Sequence, residues 1–162
     1  MTRPFRVALA VLVCVAAASI PAVAAPRPGD AAPAFSIPSA RGGALSFAAY
    51  HGKPVYLNFF ASWCDPCNQE APVILSLSQK YRAKGLIVVG IDELEDAQKA
   101  LGFAKKYHWP FPIGLDGGDL ERSYGIIALP VHVFIGRDGK VSTYRLGQMQ
   151  PGDIEDAIKK IL

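Results

Sequence analysis

The sequence predicts an α/β domain built on a mixed central sheet with helices on both faces, a three-layer sandwich. Three observations predict it. Short apolar runs rich in β-branched and aromatic residues alternate with segments of helical periodicity; one tight-turn hairpin pattern breaks that alternation near the C-terminus; and a chain of 162 residues has room for one core. The order strand–helix–strand–helix, then hairpin, then helix, makes one half of the sheet parallel and the other antiparallel.

Taken in order, Arg3 and Arg6 precede the apolar run Val7 to Ala18, and Ser19 to Ala24 supplies a break and an Ala-x-Ala end. That is the pattern of a secretory signal cut after Ala24, which places the mature protein in the periplasm or otherwise outside the cytoplasm. Its alternative is an N-terminal membrane anchor, since the run approaches the length that spans a bilayer. Residues 25–38 hold four prolines (Pro26, Pro28, Pro33, Pro38) and read as an extended leader, with the domain proper over 39–162. Gly42-Gly43 is a turn. Val55 to Ala61 is a buried central strand. From Pro66 to Lys84, Val73, Ile74 or Leu75, Leu77 and Tyr81 recur at helical spacing, and Gly85 ends the helix. Pro72 lies inside it and should kink the axis.

Leu86 to Asp92 is the next buried strand, and Leu94 to Tyr107 the next helix, with Leu94, Ala97, Leu101 and Phe103-Ala104 inward. Phe111 to Leu115 is a short extended segment, and Asp116-Gly117-Gly118-Asp119 is a turn capping a brief helix through Tyr124. Val131 to Ile135 and Lys140 to Leu146 form a hairpin around Gly136-Arg137-Asp138-Gly139. Pro151 to Leu162 closes the chain as an amphipathic helix, with Ile154, Ala157 or Ile158, and Ile161 on one face.

Removing residues 1–24 takes away two of the 17 basic residues and no acidic one, leaving 15 against 14. The basic character of the whole chain thus belongs largely to the expected signal. No clustered basic face remains, which excludes nucleic acid as a partner. Of three cysteines, Cys14 lies in the apolar N-terminal run, and Cys64 and Cys67 remain in the domain. A structural staple over so short a span would remove little unfolded-state entropy.

Trp63-Cys64-Asp65-Pro66-Cys67 sits where a strand ends and a helix begins. A helix N-terminus offers unpaired N–H groups and the positive end of the macrodipole, which stabilise a thiolate and make it a nucleophile. Cys64 is therefore the expected exposed attacker. Cys67, one turn along on the same face, is placed to resolve the mixed disulfide. Pro66 starts the helix with φ already fixed. Asp65 opposes the thiolate, which makes the pair less oxidising, so a reductant is expected. A closed zinc site needs four ligands, and His51, His108 and His132 show no paired spacing.

The stretch Lys53-Pro54-Val55 through Phe60-Ala61-Ser62-Trp63-Cys64-Asp65-Pro66-Cys67-Asn68-Gln69-Glu70-Ala71-Pro72 resembles the active-site segment of TlpA- and ResA-like thioredoxins. The likeness continues through Gly29-Asp30, Pro33-Ala34-Phe35, Phe111-Pro112, Leu115-Asp116, Tyr124-Gly125-Ile126, Pro130, Asp138-Gly139-Lys140 and Gly147. The resemblance implies a thioredoxin-like fold and an exported protein that passes electrons to a client protein's disulfide, in several relatives to the haem-binding cysteines of apocytochrome c. It also implies that Pro130 is cis and faces the redox pair, presenting the Leu129 backbone as a docking edge. Thr is frequent beside this proline in relatives, whereas Leu129 and Val131 stand here. An acidic residue near the cysteines assists proton transfer in some members; Glu95 is the expected position, with Glu93 the alternative. Trp63 is expected to cover the pair.

The cycle so implied needs no cofactor beyond the Cys64–Cys67 dithiol. It does need a membrane-embedded thiol electron donor to restore it, and a monomer suffices. Two rivals come from other classes. A Sco-type copper-binding protein would take His132 as a third ligand, but that type has three residues between its cysteines where this chain has two. A thiol peroxidase would need a differently flanked single cysteine.

Overall fold

The computed structural model describes residues 25–162; the expected signal, residues 1–24, lies outside them. Among the described residues no helix is long and apolar enough to cross a membrane. The five-stranded sheet has the order β5-β4-β3-β6-β7. Its centre is β3, Val55–Phe60, buried along its whole length as its continuous apolar run demands. Parallel to it runs β4, Ile87–Glu93, and parallel to that β5, Ile113–Asp116. On the other side β6, Val131–Ile135, pairs antiparallel with β3, and β7, Val141–Leu146, completes the hairpin. The parallel and antiparallel halves lie as expected.

Three helices cover one face: α1, Asp65–Tyr81; α2, Ala97–Lys106; and α4, Pro151–Ile161. The opposite face carries α3, Asp119–Tyr124, together with a small hairpin of β1, Ser36–Pro38, and β2, Ala44–Ser46. Side chains alternate between these faces along each strand, so Tyr56, Asn58, Phe60, Asp92 and His132 point toward α1. Phe59, Ile91, Glu93 and Val131 point toward α3.

Two expectations need correction. The segment 25–38 is extended but is no detached leader: Gly29 N–H donates to Val141 O at 2.8 Å, Phe35 and Ile37 are buried, and β1 pairs with β2. Gly114 on β5 makes this docking possible, because a Cβ there would overlap the Ile37 side chain. The second correction concerns α2, which begins at Ala97 and not at Leu94. Asp96 caps it, accepting from Lys99 N–H at 2.9 Å, while Leu94 adopts φ 59° and points outward. A cap needs extended backbone, and Leu94 lies in the turn that leads to it.

What fixes the head of α1 is an aromatic cluster. The ring of Phe60, the last residue of β3, lies 4.6 Å from that of Phe103 and 5.2 Å from that of Trp109. Each such pair adds about 1 kcal/mol beyond its buried area. Trp109 Nε1–H also donates to Ala71 O at 3.0 Å, which ties the end of α2 to the first turns of α1.

Candidate active site

From the end of β3 the chain crosses Ala61-Ser62-Trp63 and enters α1 at Cys64, which is its N-cap. Cys64 Sγ accepts the N–H of Cys67 at 3.3 Å, one of the donors that a helix start leaves unpaired. The two cysteines are disulfide-bonded, with Cα atoms 5.3 Å apart. Pro66 lies in the first turn, and Asp65 is exposed beside it. Asn68 locks this loop: its side chain donates to Ser62 O and Cys64 O at 3.0 and 2.9 Å, and accepts from Tyr107 OH at 2.6 Å.

Cys64, expected as an exposed attacker, is only 4 % exposed here. The bond to Cys67 and the Cys67 N–H both hold its sulfur back over the first turn. Trp63, expected to cover the pair, is 68 % exposed, while both cysteines beneath the surface are buried. With Leu129 it walls a groove at the head of the sheet. The Leu129–Pro130 bond is cis, as the resemblance implies. Val131 pairs with Phe59, so Pro130 stands at the same end of the sheet as the cysteines. Among the described residues no hydrogen bond engages the Leu129 backbone, and Pro130 O accepts from Gly147 N–H at 2.8 Å.

The structure separates the two acidic candidates. Glu95 reaches back to the cysteine loop, where it accepts from Ser62 N–H and from Ser62 Oγ–H, the latter at 2.8 Å. Lys99 Nζ lies 3.8 Å from the same carboxylate. Glu95 is thus attached two residues before Cys64 instead of standing in solvent at a helix start. Glu93 points to the opposite face, into the groove. Beside Glu95, Asp92 is fully buried. Burial first, and then the Glu95 charge, push its carboxyl up to about 8. Burial followed by Asp116, Glu121 and Asp92 pushes Glu93 to about 8 as well.

Four residues at the site, Glu70, His132, Tyr56 and Asn68, have no part in the thiol chemistry expected from the sequence. Glu70 is buried one turn beyond Cys67, where its Oε1 accepts the Met149 N–H. His132 Nε2 lies 3.3 Å from Glu70 Oε2, and its Nδ1 is 2.8 Å from Tyr56 OH. Tyr56 is correspondingly raised well above the usual phenol, by burial first and then by the Glu70 charge. The fourth is Asn68. The i, i+3 spacing from Cys67 signals Glu70, but its partner comes from β6, which no local pattern reveals. Among the described residues no cluster has the makings of a metal site.

A disulfide-bonded pair at a helix N-cap, at the same end of a mixed sheet as a cis-proline, defines a thioredoxin-fold thiol–disulfide oxidoreductase. Comparison with known proteins agrees. Residues 27–161 match the Redoxin family. The thiol-disulfide oxidoreductase ResA of Bacillus thuringiensis subsp. konkukian is 35 % identical over 134 residues, 82 % of this chain and 78 % of that one. Among solved structures, a Chlorobium tepidum protein described as a thiol:disulfide interchange protein DsbE superposes with TM-score 0.78 at 31 % identity, covering 85 % of this chain and 99 % of that one. A secreted Mycobacterium tuberculosis disulfide oxidoreductase homologous to E. coli DsbE gives 0.70 at 25 %, over 78 % and 95 % of the two chains. The chain belongs to the Redoxin family and, within the thioredoxin superfamily, to its TlpA/ResA-like thiol–disulfide oxidoreductases.

Proposed function

We propose that this protein works outside the cytoplasm as a reductant of client-protein disulfides, with Cys64 as attacker and Cys67 as resolver. The observation that carries the reading is the Cys67 N–H aimed at Cys64 Sγ at the helix N-cap, a donor that favours sulfur as the anion. In the cycle, the Cys64 thiolate attacks one sulfur of a client disulfide and the client's other sulfur leaves as a thiolate. Cys67, as thiolate, then attacks Cys64 Sγ, releasing the client's second thiolate and closing the Cys64–Cys67 disulfide. Two electrons pass to the client, and a membrane-embedded dithiol donor returns them. No further cofactor enters.

The exposed Asp65 supports the reducing direction, because a carboxylate beside the sulfur disfavours thiolate and so disfavours the reduced form of an oxidant. The free Leu129 backbone beside cis-Pro130 supports docking of an extended client segment, with Trp63 as the facing wall and Pro66 holding the cysteine loop. Glu95, anchored to Ser62, is the group we assign to proton management at the pair. The apocytochrome c cysteines are a client class consistent with the resemblance. The arginine-bearing apolar N-terminus supports export, and a monomer meets every step.

Equilibration with thiol buffers of defined potential tests the direction. A value near that of thioredoxin, about −270 mV, is expected, and one near −120 mV overturns the reductant reading. Cys67→Ser should hold the client covalently at Cys64, and the captured cysteine identifies it.

A further inference from the structure

The groove beside the cysteines has an apolar rim and an acidic floor. Trp63, Leu94 and Ile127 form the rim, and they are three of the four large apolar side chains that the described residues leave exposed, at 68, 66 and 84 %. Leu129 adjoins them, one residue before cis-Pro130. At the floor is Glu93, 5 % exposed, with both carboxylate oxygens lacking any partner. Glu121 lines the same groove. Among the described residues neither Glu93 nor Glu121 takes part in an ion pair, and the nearby Arg122 is paired with Asp119. Asp116, which faces Glu93 from β5, spends its carboxylate on the N–H groups of Asp119, Leu120 and Glu121.

A buried carboxylate without a partner carries a desolvation cost that either a proton or an incoming cation relieves, and the open groove gives a cation access to it. The space is about 200 Å³, below the ~300 Å³ at which small-molecule pockets begin, and so suits one long side chain. The walls select for a flexible apolar stem and the floor for a cation at its tip, which is the chemistry of Lys or Arg.

Building on the reductant reading, we infer that this groove is a specificity subsite that takes a Lys or Arg side chain of the client, close in sequence to the attacked cysteine, with Glu93 as its counter-charge. The subsite chooses among clients without touching the sulfur chemistry. The raised carboxyl of Glu93, pushed up by burial and by Asp116, Glu121 and Asp92, is what a cation at the floor would relieve.

The test uses the protein without residues 1–24, fully reduced, and peptides closed by an internal disulfide. Each carries Lys, or norleucine with the same four-carbon stem and no ammonium group, at one of the three positions on either side of the attacked cysteine. The readout is the second-order rate constant of peptide reduction. At the best position the Lys peptide should be reduced at least about tenfold faster than its norleucine twin, the worth of one charge-assisted contact. In Glu93→Gln that ratio should fall toward one. Because it is taken within a single protein, general loss of folded material cancels. If Glu93→Gln does not fold, Glu121→Gln reads the same ratio and should lower it by a smaller factor.

Equal rates for Lys and norleucine peptides at every position, or a preference that survives Glu93→Gln, overturn the subsite while leaving the reductant reading intact. Failure to reduce any peptide overturns both. A Glu93→Gln variant that changes the alkylation rate of Cys64 by a small neutral reagent, and changes both peptides alike, also overturns it, because Glu93 would then act on the thiol.

Discussion

Two buried acidic regions flank the Cys64–Cys67 pair, and they differ in what faces them. Under α1, Glu70 meets His132, which in turn meets Tyr56, while the Glu70 carboxylate also receives a backbone N–H from Met149. At the end of β4, Asp92 and Glu93 meet mainly other carboxylates. The first region brings an imidazole within 3.3 Å of Glu70 Oε2 and a backbone N–H onto Oε1, from α1, β3, β6 and the loop before α4, although Glu70 Oε2 and His132 Nε2 make no hydrogen bond. The second is open on its Glu93 side and holds protons that most carboxyls have lost by neutral pH. A paired buried acid belongs to the architecture, whereas an unpaired one beside a groove stores free energy that a ligand or a proton releases.

The largest effect expected comes from breaking the paired region. His132→Ala removes a fully buried ring and leaves Glu70 Oε2 and Tyr56 OH facing a void. A loss of roughly 3–5 kcal/mol in urea unfolding is expected. A loss below about 1 kcal/mol would show that the region is no tighter than its acidic counterpart.

The unpaired region should respond to pH, with a definite sign. Asp92 and Glu93 keep their protons to about pH 8 when folded, while the unfolded chain releases them near 4. Folding therefore retains protons between those values. The stability that each neutral carboxyl allows is complete below about pH 4 and is lost as pH rises through about 8. Asp92→Asn should leave stability at pH 4 nearly unchanged and raise it at pH 9 by about 1–3 kcal/mol, flattening the profile. Urea midpoints across that range check this, and a parallel downward shift at all pH values breaks the comparison.

These two regions also mark where the sequence could be read and where it could not. The central strand, the redox pair at a helix start, the Gly136–Gly139 hairpin and the amphipathic last helix all declare themselves through local periodicity or turn chemistry. The resemblance pointed to an acid near the cysteines, with Glu95 preferred to Glu93, but the bonds that tie Glu95 to Ser62 had no signal in the sequence. Glu70, His132 and Tyr56 come from three elements 76 residues apart at the extremes, and no local rule joins them. Leu94 departs from the inward placement its spacing suggests because the Asp96 cap starts the helix three residues later. The Pro-rich segment departs from a free leader for a similar reason. Its prolines do keep it extended, but Phe35 and Ile37 supply anchors whose receiving surface is made by distant strands.

Of the three acids at the end of β4, Glu95 is the one bonded to the cysteine loop, through Ser62, and Glu95→Gln removes its charge while keeping one oxygen for Ser62. Loss of that neighbouring charge favours thiolate, so Cys64 in reduced protein should alkylate about two- to threefold faster at pH 7. An unchanged pH profile takes Glu95 out of the mechanism.

The smallest effect should come from Lys99, the one cation that approaches this end of β4 among the described residues. Its Nζ stands 3.8 Å from Glu95 on a side chain that is mostly in water, while Glu95 itself is held by two donors of Ser62. Solvent screens such a pair, and ordering a lysine consumes most of what remains, so Lys99→Ala should cost under about 0.5 kcal/mol and leave Cys64 alkylation where it was. A larger loss, or a change in thiol reactivity to match Glu95→Gln, would mean that the acidic end already owns its cation. The contrast with the Glu70–His132 side would then be one of degree, set by exposure, and no longer one of kind.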